Sequence, residues 1–160
     1  MELSNNDWVF LCDSDNFIDK KCFDEIKKHF EWDRYTIYAP SKSSLLDYGV
    51  LSGRKFTGNN DLKELVNIGI GEVFLNTGNF FFHKDEYIKA AKRTDDKYKI
   101  FGTKNPYDVF YLTIEWLLGG NTIFCVPNFY YYHHVSRDSI WNEQNKNYKN
   151  AYDCLINSIK

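Results

Sequence analysis

Asp13 and Asp15 stand two residues apart, directly after the apolar run Trp8-Val9-Phe10-Leu11-Cys12. A continuous apolar run that stops at a turn signal, here Asp13-Ser14-Asp15-Asn16, reads as a buried, parallel strand. Carboxylates that follow such a strand lie at the carboxyl edge of a sheet, where open α/β sheets bind ligands. A tight turn there can aim both at one hard cation. Mg²⁺ and Mn²⁺ take one or two carboxylates and complete their shells with substrate phosphates. The competing reading is a pair of turn or capping aspartates ahead of the next helix. Asp108 stands in the first turn of the clearest helical pattern in the chain. It is either a general base held at a helix N-terminus or an acid that complements the helix dipole. His133 and His134 are adjacent at the end of an extended stretch. Only one of two neighbours on a strand faces a given side, so one of them is a candidate metal ligand. Asn76-Thr77-Gly78-Asn79 is either a plain turn or a loop where backbone closely approaches a ligand, with amides able to bond hydroxyls.

The elements that must position these residues follow from local patterns. Asp19 caps a helix over Lys20 to Phe30, with Phe23, Ile26, Lys27 and Phe30 on one stripe. Tyr35 to Ala39 reads as a strand closed by Pro40. Ser41 to Asn60 is polar and Gly-rich and reads mainly as loop. Asn60 or Asp61 opens a short helix through Val66. Val73-Phe74-Leu75 leads into the Asn76 turn, and Phe80 to Phe82 follows as a strand. Lys84 to Lys92 is a short helix. Pro106 stands at the first turn of the helix that carries Val109, Phe110, Leu112, Thr113, Trp116 and Leu117, and Gly119-Gly120 stops it. Thr122 to Val126 is a strand halted by Pro127, Phe129 to His134 is a further extended stretch, and Trp141 to Lys160 is a terminal helix. Strands alternating with helices predict an α/β sheet. A length of 160 residues predicts one domain, with its core over 7–135 and a helical segment over 136–160.

Composition excludes several classes. The formal net charge is −2, with both signs interspersed, so there is no basic face for nucleic acid. No apolar run approaches the ~20 residues that span a bilayer, and no signal peptide is visible. Cys12, Cys22, Cys125 and Cys154 have no CxxC spacing, and read as reduced, mostly buried thiols of a cytosolic protein. Aromatic residues make up 18%, with 12 Tyr, more than a core needs. They suit a sugar-binding cleft or, as composition alone favours, edge strands.

The order of these parts resembles family 2 glycosyltransferases with the GT-A fold. Asp13-Ser14-Asp15-Asn16-Phe17-Ile18-Asp19 resembles their DxD segment. Asn76 to Phe82 is similar to their acceptor-side turn and strand. Pro106-Tyr107-Asp108-Val109 through Gly119-Gly120 is similar to their "ED" helix. Asn121 to Val126 followed by Tyr132-His133-His134 is similar to the next strand and its terminal histidine. The resemblance implies that Asp13 lies near the nucleotide ribose and metal, that Asp15 ligates Mn²⁺ or Mg²⁺, and that Asp108 is the base. It implies that His133 or His134 contacts the metal or diphosphate, and that Asn76, Thr77, Gly78, Asn79 and Tyr107 border the acceptor. Two departures stand out. Tyr107 replaces the acid that usually precedes the base, and the DxD strand opens at Trp8, whereas the family places a nucleotide-binding βαβα half before it.

The expected fold is therefore a partial GT-A mixed sheet flanked by helices. The expected activity is inverting, metal-dependent transfer of a sugar from a nucleoside-diphosphate sugar to an acceptor hydroxyl. A fragment inactive alone, or a sugar- or metal-binding remnant without turnover, are the alternatives. The expected partners are donor, acceptor, and either a second copy or an upstream segment at an exposed sheet edge. The expected location is the cytoplasm, or peripheral to a membrane.

Overall fold

The computed structural model describes residues 6–13, 16–100, 105–134 and 140–160. Two apolar segments make its centre. β3 (Thr36–Ser43) and β6 (Thr122–Tyr132) run parallel, from Thr36 opposite Thr122 to Ser43 opposite Tyr131. Ile37, Ala39, Ile123, Cys125 and Val126 are fully buried because helices cover both faces of this pair. The remaining strands add antiparallel. β1 (Trp8–Phe10) pairs with β5 (Phe81–His83), which pairs with β3. β4 (Lys55–Thr57) and β2 (Phe17–Ile18) pair with opposite ends of β6. The result is a six-stranded mixed sheet of order β1-β5-β3-β6-β2, with β4 off this path beside β6.

α1 (Lys21–His29) covers one face, over Tyr38, Phe124, Val126 and Phe129, through Cys22 and Ile26. Lys20, not Asp19, stands at its N-cap, although Asp19 Oδ1 accepts the Lys21 N–H at 2.9 Å, and Phe23 on the expected stripe stays exposed. The other face carries the larger core, built with α2 (Gly58–Asn67), α3 (Gly71–Leu75), α4 (Lys84–Tyr98), α5 (Asp108–Leu118) and α6 (Ile140–Ile159). α5 is buried on nearly every side, from Phe110 to Leu117. Gly120, at φ +78°, takes the left-handed turn that releases the chain into β6.

Several expectations need correction. The Trp8 run is not a parallel strand. It is an antiparallel edge strand with β5 as its partner. Its side chains are apolar throughout because Trp8 and Phe10 pack on the α1 side while Val9 and Leu11 pack on the other. Pro40 and Pro127 do not end their strands. The β3–β6 register shifts between Pro40 and Lys42, and Asn128 stands at φ +57°, so one bulge absorbs both missing N–H groups. Ser41 to Asn60 is less loop than expected: it holds the end of β3, a 3₁₀ turn over Gly49–Leu51, and β4. α2 starts at Gly58, where Asp61 Oδ2 accepts the Thr57 N–H at 2.6 Å. α4 runs past Lys92 because Thr94 still faces the core, and Lys99 at φ +54° ends it. Six of the twelve tyrosines (38, 48, 87, 107, 111 and 131) are core residues rather than edge decoration. The four cysteines form no disulfide, and Cys12 and Cys154 are exposed rather than buried. No described helix is long and apolar enough to cross a membrane.

Candidate functional site

The site begins with strand register. Trp8 faces His83 and Phe10 faces Phe81, and the ladder continues through paired Leu11–Phe80 bonds of 2.8 and 3.2 Å. Continued past β1, that register sets Asp13 opposite Gly78. Gly78 has φ +72°, and a Cβ there would sit 3.1 Å from Asp13 Oδ2 and 3.2 Å from Oδ1. The turn thus needs glycine twice, for its left-handed backbone and for the carboxylate it cradles. Asn16 ties the loop to its surroundings. Its Nδ2 donates to Asp13 Oδ2 at 3.4 Å and to Asn79 Oδ1 at 3.3 Å, and its Oδ1 accepts the His134 N–H at 3.3 Å.

Asp108 arrives from the start of α5, and Asn76 holds that start. Asn76 Oδ1 accepts the Phe110 N–H at 3.1 Å, and its Nδ2 donates to the Pro106 carbonyl at 3.3 Å. This caps the helix from outside, since Tyr107, in the N-cap position, offers no side-chain cap. Asp108 Oδ1 accepts the Val109 N–H at 2.8 Å. Burial raises the Asp108 carboxyl above its ordinary value, and the amide bonds only partly offset this.

Asp13 and Asp108 line one cavity of about 710 Å³ between the end of β1 and the α4–α5 groove. Leu11, Ile88, Ala91, Val109 and Leu112 form its apolar wall. Tyr87, Lys92, Asp95 and Asp96 add polar groups. Tyr87 is 6% exposed and stacks on Phe82 with ring centroids 3.8 Å apart. Its phenol is pushed up by burial first, then by the Asp108 and Asp13 carboxylates, so it stays protonated.

The chain shows no significant similarity to any known protein family, curated protein or solved structure.

The other expected site residues are placed as follows. Thr77 Oγ1 shares a buried 2.9 Å hydrogen bond with the Tyr131 hydroxyl. Asn79 is fully buried, bonding Asn16 and, through Nδ2 at 2.8 Å, the Thr77 carbonyl. Asn76, Thr77 and Asn79 therefore direct their side chains into the protein's own frame, while Gly78 alone borders Asp13. Tyr107 is buried away from the cavity, hydrogen-bonded to Asn145 and stacked on Tyr152 at 4.3 Å. His134 is exposed beside Asn16, whereas the His133 backbone is bound to Ser44, its N–H donating at 3.0 Å and its carbonyl accepting at 3.1 Å. Asp15 lies outside the described residues.

Among the described residues, no three His, Cys, Asp or Glu side chains converge as a metal site. Of the expected metal ligands among the described residues, Asp13 alone lines the cavity. Sequence reasoning missed Asn16 and Tyr87. Asn16 follows the second acid directly. Tyr87, Ile88 and Ala91 share one face of α4, but helical spacing alone does not distinguish a core tyrosine from a cavity one.

Proposed function

We propose that the chain is the catalytic, acceptor-binding part of an inverting, metal-dependent glycosyltransferase of the GT-A kind. The observation that carries this reading is that Asp13 and Asp108, from distant segments of the chain, line one cavity. The acceptor occupies that cavity with a hydroxyl against Asp108. Oδ1 is held by the Val109 amide, which leaves Oδ2 for the acceptor proton. A desolvated carboxylate is a stronger base than an exposed one, so burial suits the role. The acceptor oxygen bonds to the anomeric carbon of the donor sugar. The bond from that carbon to the diphosphate breaks on the opposite face, and the diphosphate leaves with the electron pair. Asp13 would hold Mn²⁺ or Mg²⁺, which would supply positive charge against the departing diphosphate. Gly78 and Asn16 keep the Asp13 carboxylate at the cavity rim.

Among the described residues no strand pairs with the outer edge of β1, which favours a second reading, a sugar- or metal-binding protein without turnover. Among the described residues, no element beyond β1 cradles a nucleoside base. Release of nucleoside diphosphate from a panel of nucleotide sugars, with Mn²⁺ and free acceptor sugars, separates the two. The first reading expects release that Asp108→Asn lowers by roughly 10²–10⁴-fold. Binding with no release supports the second.

A further inference from the structure

Tyr87 presents a problem that the core alone does not explain. Its ring has a core role, stacked on Phe82, yet its hydroxyl has no hydrogen-bond partner among the described residues. Among the described tyrosines the wholly buried, unpaired hydroxyl is that of Tyr48, and Tyr87 differs from it in lining a cavity. Tyr87 shares that cavity with the Asp13 and Asp108 carboxylates. The lining therefore offers one phenolic donor, two carboxylate acceptors and an aliphatic wall of Leu11, Ile88, Ala91, Val109 and Leu112. A pyranose ring complements that set. Its hydroxyls donate to carboxylates, one of its oxygens accepts from a phenol, and its C–H face packs on aliphatic carbon. A sugar carrying its own carboxylate would meet two like charges.

We propose that Tyr87 is a ligand-binding residue that donates a hydrogen bond to a neutral sugar in this cavity, and that the cavity discriminates against acidic sugars. The inference rests on reading the cavity as a sugar site, but it does not require transfer. Lys92, Asp95 and Asp96 also line the cavity. Asp96 is exposed and lies 3.7 Å from Lys99.

The test is ligand-observed NMR on the whole chain, without metal or nucleotide. The probes are methyl glucoside, methyl galactoside and N-acetylglucosamine against glucuronate and galacturonate. At least one neutral sugar is expected to bind, with both uronates at least about tenfold weaker, as like-charge contact implies. Tyr87→Phe is expected to weaken neutral-sugar binding by roughly three- to tenfold, the worth of one hydrogen bond. Its melting temperature should equal or exceed that of the parent chain, because the lost hydroxyl had no partner in the protein. Unchanged sugar affinity in Tyr87→Phe, uronates binding as well as neutral sugars, or no neutral sugar binding would each overturn the inference. So would a Tyr87→Phe chain several degrees less stable, since the hydroxyl would then have a structural partner. Sugar binding with these preferences but no diphosphate release would leave this inference standing and refute the transferase reading.

Discussion

At the scale of single residues, Asp108 carries opposed demands of stability and chemistry. Its carboxyl has a raised pKa in the folded chain because burial disfavours the charged form. The folded state then binds a proton that the unfolded chain releases, between the ordinary aspartate value and the raised one. Stability from this group is therefore lost as pH rises through that window, and a constant penalty remains above it. Asp108→Asn keeps an oxygen for the Val109 amide and removes the charge. The variant is expected to melt at an equal or higher temperature at pH 7, with the gap closing below the ordinary aspartate range, while any transfer is lost. A neutral-pH melting temperature well below the parent's would show that the charge has a structural partner. Gly78 makes the complementary case. Gly78→Ala is expected to cost about 1 kcal/mol from the left-handed backbone. It should also displace the Asp13 carboxylate, which stands 3.1 Å from the new Cβ. Chemical denaturation together with Mn²⁺ titration checks both parts, and unaltered Mn²⁺ affinity would dissociate Gly78 from the Asp13 site.

At the scale of elements, the helix that carries Asp108 starts where Asn76 fixes it. Asn76→Ala removes the acceptor of the Phe110 amide and the donor to the Pro106 carbonyl. A loss of about 1–2 kcal/mol is expected, as for other helix caps, measurable as a lower urea midpoint with an unchanged slope. A neutral result would mean that α5 is fixed by its buried apolar face alone. This is also the scale at which sequence was most and least informative. The apolar run at Thr122 to Val126, the helix from Asp108 to its glycine stop, and the terminal helix were legible, because their patterns are local. The two prolines inside β3 and β6 were not, because a bulge shared by two distant strands tolerates them. The direction of β1 was not, because an apolar run specifies cover on both faces and not the sense of its neighbour. Asp13 and Asp108 were legible as site candidates from their positions at a strand end and a helix start. Tyr87 was not, because its place beside Asp13 and Asp108 depends on how α4 packs against α5 and the end of β1.

At the scale of the whole molecule, the sheet has an asymmetric finish. The Leu11–Phe80 bonds and the Lys84 N–H to Asp7 carbonyl bond alternate along β1. By that alternation Val9 and Leu11 bond inward to β5, and Trp8 and Phe10 turn their backbone groups outward. An open edge of this kind pairs with another strand when one is offered. Amide hydrogen exchange is expected to show Val9 and Leu11 protected, and Trp8 and Phe10 exchanging fast in dilute solution but slowly as concentration rises. Fast exchange at Trp8 and Phe10 at every concentration would exclude pairing between copies through this edge.

The same open edge bears on the nucleotide. Under the proposed function Asp13 would grip a diphosphate through a cation, but no described element beyond β1 holds a nucleoside base. The most direct test of the account is calorimetric titration of the chain with uridine and guanosine diphosphates, with and without Mn²⁺, for the parent chain and Asp13→Asn. The account expects weak binding that requires Mn²⁺, differs little between the two bases, and disappears in Asp13→Asn. Binding that persists without Mn²⁺ or survives Asp13→Asn would contradict the assignment of this cavity rim as a diphosphate site.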